Sequence, residues 1–255
     1  MLIVVSPSKT LEFKGSIPNL EFTQPLFVKE ADQLVKPLRK LSIDQLMSLM
    51  DVSTKLAQLT QERFFLWRPE SSNENGHPAL FAFRGEVYSG IEADTLSIDT
   101  LKYAANRLRI LSGFYGVIRP LDLIRPYRLE MGTPFKIGKN QNLYRFWQQE
   151  ITSQLREDLD QIGSNRLINL ASVEYFKVLD HKKLNAEIIT PEFLEGKNGS
   201  YKIVSMYAKK ARGLMTRFIL QNEIIEEEDL HAFDIDGYCF NSYLSQKGRP
   251  VFTRG

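Results

Sequence analysis

Apolar runs bounded by turn-forming residues divide the chain into short strands and amphipathic helices. Alternating or continuous apolar stretches predict strands at residues 2–6, 79–83, 166–170, 186–193, 201–205, 238–241 and 251–254. Helical spacing predicts helices near 27–40, 43–50, 53–67, 97–106, 143–159 and 207–222, some of them opened by Ser. The Asn- and Gly-containing segments 71–78 and 138–142 read as loops, and GKNGS at 196–200 as the turn of a hairpin. Because strands and helices interleave, the expected fold class is α/β (mixed α+β), with a mixed central sheet surrounded by helices. No internal repeat or convincing linker interrupts residues 1–255, so one compact domain is expected.

Composition narrows the setting. With 255 residues, 43% hydrophobic, the chain can bury a full core. The apolar start MLIVVS is too short for the hydrophobic region of a signal peptide, and no apolar run reaches bilayer length, so no membrane partner is expected and the cytoplasm is the expected compartment. The lone Cys239 has no partner for an intramolecular disulfide. His77, His181 and His231 are scattered without ligand spacing and read as surface or capping residues, so neither a metal nor a cofactor is expected.

Charge changes the picture locally. The net charge is only +2, yet residues 102–147 hold Lys102, Arg107, Arg109, Arg119, Arg125, Arg128, Lys136, Lys139 and Arg145 against Asp122 and Glu130 alone. Within this window LRILSGFYGVIRPLDLIRPYRLEMGT places Arg119 and Arg125 directly before prolines, which biases them toward extended or turn backbone. A planar guanidinium fork suits phosphate or carboxylate, and Tyr115, Tyr127 and Tyr144 offer stacking faces. Two readings follow: an anion-binding surface, or arginines paired with carboxylates from elsewhere in the fold.

Other segments offer further chemistry. SPSKT (6–10) follows the first strand, where loops present side chains from a rigid support; it carries Ser6 and Lys9 but lacks the glycines of a phosphate-binding P-loop. In FRGEVYSGIEA, Arg84 and Tyr88 stand beside small residues that permit close approach. In INLASVEYFKVL, Asn169 and Glu174 follow a strand; Glu174 is a candidate general base if burial raises its pKa, or simply a residue near a helix start with Ser172 as cap. MYAKKARGLMTRFILQN carries Lys209, Lys210, Arg212 and Arg217 with no acid among them, which reads as a solvated face or a basic binding surface. Residues 43–67 resemble a helix-hairpin-helix, L-P-G-V-G-x-K-x-A, at LMDVSTKLA. Val52, Lys55 and Ala57 keep their positions, Asp51 and Ser53 replace the glycines, and Ser53 caps the second helix. An ordinary helical hairpin accounts for the same residues.

Together SPSKT, FRGEVYSGIEA, LRILSGFYGVIRPLDLIRPYRLEMGT, LYRFW, INLASVEYFK, KKLNAEII and YAKKARGLMTRFI resemble the YaaA peroxide-stress protein family nearly end to end. The resemblance implies a cytosolic protein that limits peroxide damage and free intracellular iron. It further implies binding of double-stranded DNA or other nucleic acid through a basic cleft and a helix-hairpin-helix at about 43–67. On this reading Ser53, Lys55, Arg119, Arg125, Arg128, Lys209, Lys210, Arg212 and Arg217 contact phosphates, and Ser6, Lys9, Arg84, Tyr88, Asn169 and Glu174 line a cleft. The resemblance supplies no catalytic residue. The alternative is an enzyme acting on a nucleotide or nucleic-acid base: a closed cleft too narrow for a duplex favours it, and an open basic groove favours the DNA binder.

Overall fold

The apolar run at the start of the chain forms the middle of the main sheet. Leu2–Val5 is buried along its whole length, as a strand covered on both faces must be. It pairs in parallel with Leu108–Ser112 on one side and Arg166–Leu170 on the other. Glu187–Ile189 continues the sheet in parallel, and Gly116–Ile118 folds back antiparallel at the opposite edge. A second sheet takes its strands in the order Ser200–Lys202, Glu192–Lys197, Val251–Arg254 and Cys239–Phe240. This mixed α/β architecture is seen in a computed structural model that describes every residue except Ser16, Pro18, Asn73 and Asn198. The loop positions expected at 73 and 198 therefore lie outside the described residues.

Helices Val28–Leu38, Ile43–Met50, Thr54–Leu66, Ile98–Arg107, Leu143–Gln161 and Ser205–Asn222 fall close to their expected spans. Several start where a polar side chain accepts a backbone N–H: Ser42 from Gln45, Ser53 from Leu56, Ser97 from Thr100 and Asn142 from Arg145. Ile43–Met50 and Thr54–Leu66 form a helical hairpin whose turn carries Asp51 in the left-handed region at φ 51°. That is the conformation a glycine adopts most easily, and Asp tolerates it better than most side chains.

Four expectations are corrected. Residues 79–83 do not form a strand: Ala79–Ala82 is one helical turn between two-residue strands at His77–Pro78 and Phe83–Arg84. All four of its residues are buried, and a short apolar run carries no periodicity to separate helix from strand. Residues 186–193 split at Thr190-Pro191 into Glu187–Ile189 and Glu192–Lys197, which belong to different sheets. Proline has no N–H for a continuing ladder. Leu108–Ser112, where no strand was expected, is a fully buried strand. It tolerates Arg109 because Asp158 of the Leu143–Gln161 helix receives its guanidinium in two hydrogen bonds of 2.7 and 2.9 Å. His77 is no surface residue either: it is 6% exposed and packs against Phe13.

The helix Ser205–Asn222 packs on Glu86–Ile91 and reaches strands of both sheets. The helix pair approaches backbone to backbone. A Cβ on Gly213 would lie 1.9 Å from the Val87 carbonyl oxygen, and one on Gly90 would lie 2.4 Å from that of Lys210. Glycine at both positions is therefore a steric requirement.

Gly213→Ala should destabilise the protein by about 1–3 kcal/mol or more, although alanine is the better helix former by about 1 kcal/mol. Urea unfolding of the variant measures this, and an unchanged midpoint would contradict so close a contact. Burial, with the charge of Arg84, lowers the His77 pKa below its ordinary 6.5. The unfolded chain then takes up the proton first, so His77 penalises folding as pH falls below about 6.5 and is without effect above it. Melting curves of His77→Gln should show a smaller loss of Tm between about pH 7 and 5 than the parent.

Candidate functional site

Three neighbouring parallel strands, Leu108–Ser112, Leu2–Val5 and Arg166–Leu170, end along one edge of the main sheet. Ligands of open α/β sheets collect at such carboxyl ends. Here the loops after the second and third strands bound a cleft of about 310 Å³. Ser6, Pro7, Ser8 and Lys9 form one side; Leu170, Ser172, Glu174 and Tyr175 another; Glu86, Val87 and Tyr88 a third, with Lys209 and Arg212 above them from the Ser205–Asn222 helix.

The two loops are tied to each other. The Ser172 N–H donates to Ser6 Oγ at 2.8 Å, and the two hydroxyls lie 3.3 Å apart. Tyr88 donates its hydroxyl to the Ser6 carbonyl at 3.0 Å, anchoring the Glu86–Ile91 helix to the first loop. Gly85 turns the chain there at φ 113°, and a Cβ on it would meet Ser8 Oγ at 3.0 Å. Glu130 receives Lys9 at 2.8 Å and Arg128 at 3.1 Å. The Gly132 N–H donates to Glu174 Oε1 at 2.9 Å, so the 130–132 turn braces two cleft residues at once.

Burial raises the pKa of Tyr88, Tyr127 and Tyr175 well above the ordinary phenol value. Their hydroxyls stay protonated near neutrality and serve only as hydrogen-bonding groups. Arg212 is shifted the other way: burial lowers its pKa, and the nearby charge of Glu192 only partly offsets this. Neither the Arg212 guanidinium nor the Lys209 ammonium has a carboxylate or hydrogen-bond partner among the described residues. Glu86 and Glu174 line the same cleft without pairing with either cation, whereas Glu192 and Asp236 are engaged by Arg249 and Arg254, each at 2.7 Å. The cleft therefore presents two unpaired cations, one of them partly desolvated, together with the Glu86 and Glu174 carboxylates and the Ser6 and Ser8 hydroxyls.

Of the residues expected in a cleft, Ser6, Lys9, Tyr88 and Glu174 come together. Arg84 instead pairs with Glu12 at 3.0 Å, and Asn169 accepts the Ala171 N–H at 3.1 Å, so it shapes the loop after its strand from outside the lining. Several cations expected to face phosphate are engaged within the fold. Arg119 binds buried Asp122 at 2.9 Å and the Gln24 carbonyl at 2.7 Å. Arg125 donates to the Glu70 carbonyl at 2.8 Å, and Arg217 to Ile91, Glu92 and Thr95 around the end of the Glu86–Ile91 helix. Lys210 pairs with Asp236 at 3.5 Å. Arg128 is mostly buried on Glu130, with its Nε unpartnered. Ser53 caps its helix, and Lys55 is exposed on the following turn. Ser8, Ser172 and Tyr175 belong to motifs already singled out but are recognised as lining only in the fold. Glu86 and Val87 lie in FRGEVYSGIEA but carry no signal of their own.

A family model described as "Peroxide stress protein YaaA" matches residues 1–244. The chain belongs to that family. UPF0246 proteins of two Aliivibrio fischeri strains, ES114 and MJ11, are each 50% identical to it over 254 residues, covering 100% of this chain and 98% of the relative. A UPF0246 protein of Idiomarina loihiensis matches at the same identity and coverage. A peroxide-stress role thus belongs to the family by name. Among the described residues no helix is long and apolar enough to cross a membrane.

The contrast between engaged and free cations is measurable as stability. Arg125→Met removes hydrogen bonds to the exposed Leu66 and Glu70 carbonyls and should cost about 0.5–1.5 kcal/mol. Arg212→Met relieves a desolvated charge without breaking a bond, so its unfolding midpoint should match or exceed that of the parent. A large loss for Arg212→Met would reveal an internal partner and remove Arg212 from the binding surface.

Proposed function

We propose that this protein acts in the peroxide-stress response by binding DNA through its phosphates, limiting oxidative damage and the harm done by free intracellular iron. The observation that carries the reading is the state of Lys209 and Arg212. They stand one helical turn apart at a cleft mouth, and neither is neutralised by a carboxylate among the described residues, whereas the arginines of 119–128 are occupied inside the fold. An unneutralised, partly desolvated guanidinium is costly to keep unless a ligand supplies the anion.

The helical hairpin supports the same reading. The start of Thr54–Leu66 is exposed at residues 53–55, with Ser53 accepting the Leu56 N–H and Lys55 two positions on. Backbone N–H groups at such a helix start attract phosphate without reading bases. Asp51 at the turn opposes close approach, so the hairpin contributes less per contact than its glycine-containing counterparts. Contacts of this kind predict affinity largely independent of sequence.

The test is titration of the full chain with a fluorescent 20-base-pair duplex over a range of salt concentrations. The logarithm of the binding constant should fall linearly with the logarithm of salt, by about 0.9 for each phosphate neutralised. Lys55→Glu, Lys209→Glu and Arg212→Glu combined should abolish binding while the fold persists by circular dichroism. Undiminished duplex binding by that folded variant would overturn the assignment.

A further inference from the structure

A duplex cannot enter the cleft beneath Lys209 and Arg212, which is the outcome that favours a site for a nucleotide or base over an open groove for a duplex. Its volume of about 310 Å³ stands at the lower end of the range for small-ligand sites, about 300–1,000 Å³, which is room for one small ligand and not for a double helix. A phosphate backbone running across the basic helix leaves the space below it to a single unit of the ligand. We propose that the cleft holds one unpaired nucleotide, its phosphate between Lys209 and Arg212 and its base against Leu170, Tyr88 and Tyr175.

The lining selects this chemistry. Its free cations match one phosphate, because Lys9 is already held by Glu130 at 2.8 Å. Glu86 and Glu174 line the same space, so a second or third phosphate would meet two carboxylates. The same carboxylates accept hydrogen bonds, and the amino and hydroxyl groups of a nucleoside are donors. Inorganic phosphate alone would leave the apolar part of the wall, Pro7, Val87, Leu170 and the tyrosine bodies, uncovered. A base covers it, and contact with an apolar or aromatic wall tolerates any base. The tyrosine hydroxyls stay neutral, so they do not repel the ligand. A free mononucleotide and an unstacked nucleotide within a strand present the same group to this wall.

This inference rests on the reading of Lys209 and Arg212 as phosphate ligands, and the following measurement separates the two. The full chain is titrated calorimetrically with deoxyadenosine monophosphate, adenosine, inorganic phosphate and deoxyadenosine triphosphate. It is then titrated with a 12-nucleotide single strand and the matched duplex. The monophosphate should bind at least about tenfold more tightly than the other three small ligands, and Arg212→Gln should weaken it by a similar factor. Val87→Trp, which fills the cleft, should abolish monophosphate binding and leave the matched duplex unaffected. If Val87→Trp does not fold, Leu170→Phe fills the same space from the sheet side. Competition between the monophosphate and the single strand assigns the nucleotide to a strand; binding of the monophosphate without the strand assigns a free nucleotide. Monophosphate binding no tighter than inorganic phosphate, or unmoved by filling the cleft, overturns the inference even where the duplex binds. Monophosphate binding without duplex binding upholds the cleft and removes the DNA reading.

Discussion

The arrangement of the cleft depends on the backbone contact between the Glu86–Ile91 and Ser205–Asn222 helices. Gly90 and Gly213 allow two backbones to meet where any side chain would collide with a carbonyl oxygen or amide nitrogen. That contact sets how far the basic helix stands from the SPSK loop, and through Tyr88 it is joined to the loop itself. Cleft width, the height of Lys209 and Arg212 above the strand ends, and the partial burial of Arg212 all follow from it. A site defined by backbone packing is more rigid than one defined by side-chain rotamers, because close-packed interiors transmit strain instead of absorbing it.

A second constraint explains the concentration of arginine between residues 102 and 147. This segment threads through the core, and its cations are used as connectors. Arg109 reaches Asp158 across the interior, Arg119 neutralises buried Asp122, and Arg125 satisfies carbonyls at the end of Thr54–Leu66. Arg109 and Arg119 bind carboxylates, Asp158 and Asp122, that would otherwise be buried without partners at a large cost in free energy, whereas Arg125 ties exposed carbonyls of Leu66 and Glu70. Arg128 and Lys9 converge on Glu130, which places that carboxylate next to the cleft and leaves fewer free charges there than the sequence count suggests. The positive character of the site therefore comes mainly from the Ser205–Asn222 helix.

Much of the element pattern was legible before the fold. Residues 166–170 and 251–254, the capped helices and the paired segments around 196–200 all carry local signals, namely continuous apolar runs, serine or asparagine caps and glycine turns. The errors arose where tertiary burial removed the signal. Ala79–Ala82 lost its periodicity because every side of it is covered, and Leu108–Ser112 was disguised by an arginine whose partner lies 49 residues away. At the site, Ser6, Lys9, Tyr88 and Glu174 were identifiable as polar groups after strands or beside glycines, whereas Val87 and Leu170 are ordinary apolar residues until the cleft forms.

The sequence by itself determined the family, the mixed α/β class and which motifs carry polar chemistry, because these depend on residue identity and short-range periodicity. Only the tertiary structure decided which cations are free to meet a ligand. Whether a guanidinium is spent on a buried carboxylate or left unpaired depends on residues brought near it from distant parts of the chain. Arg119 and Arg212 look alike in the sequence; the fold gives one Asp122 and leaves the other facing the cleft.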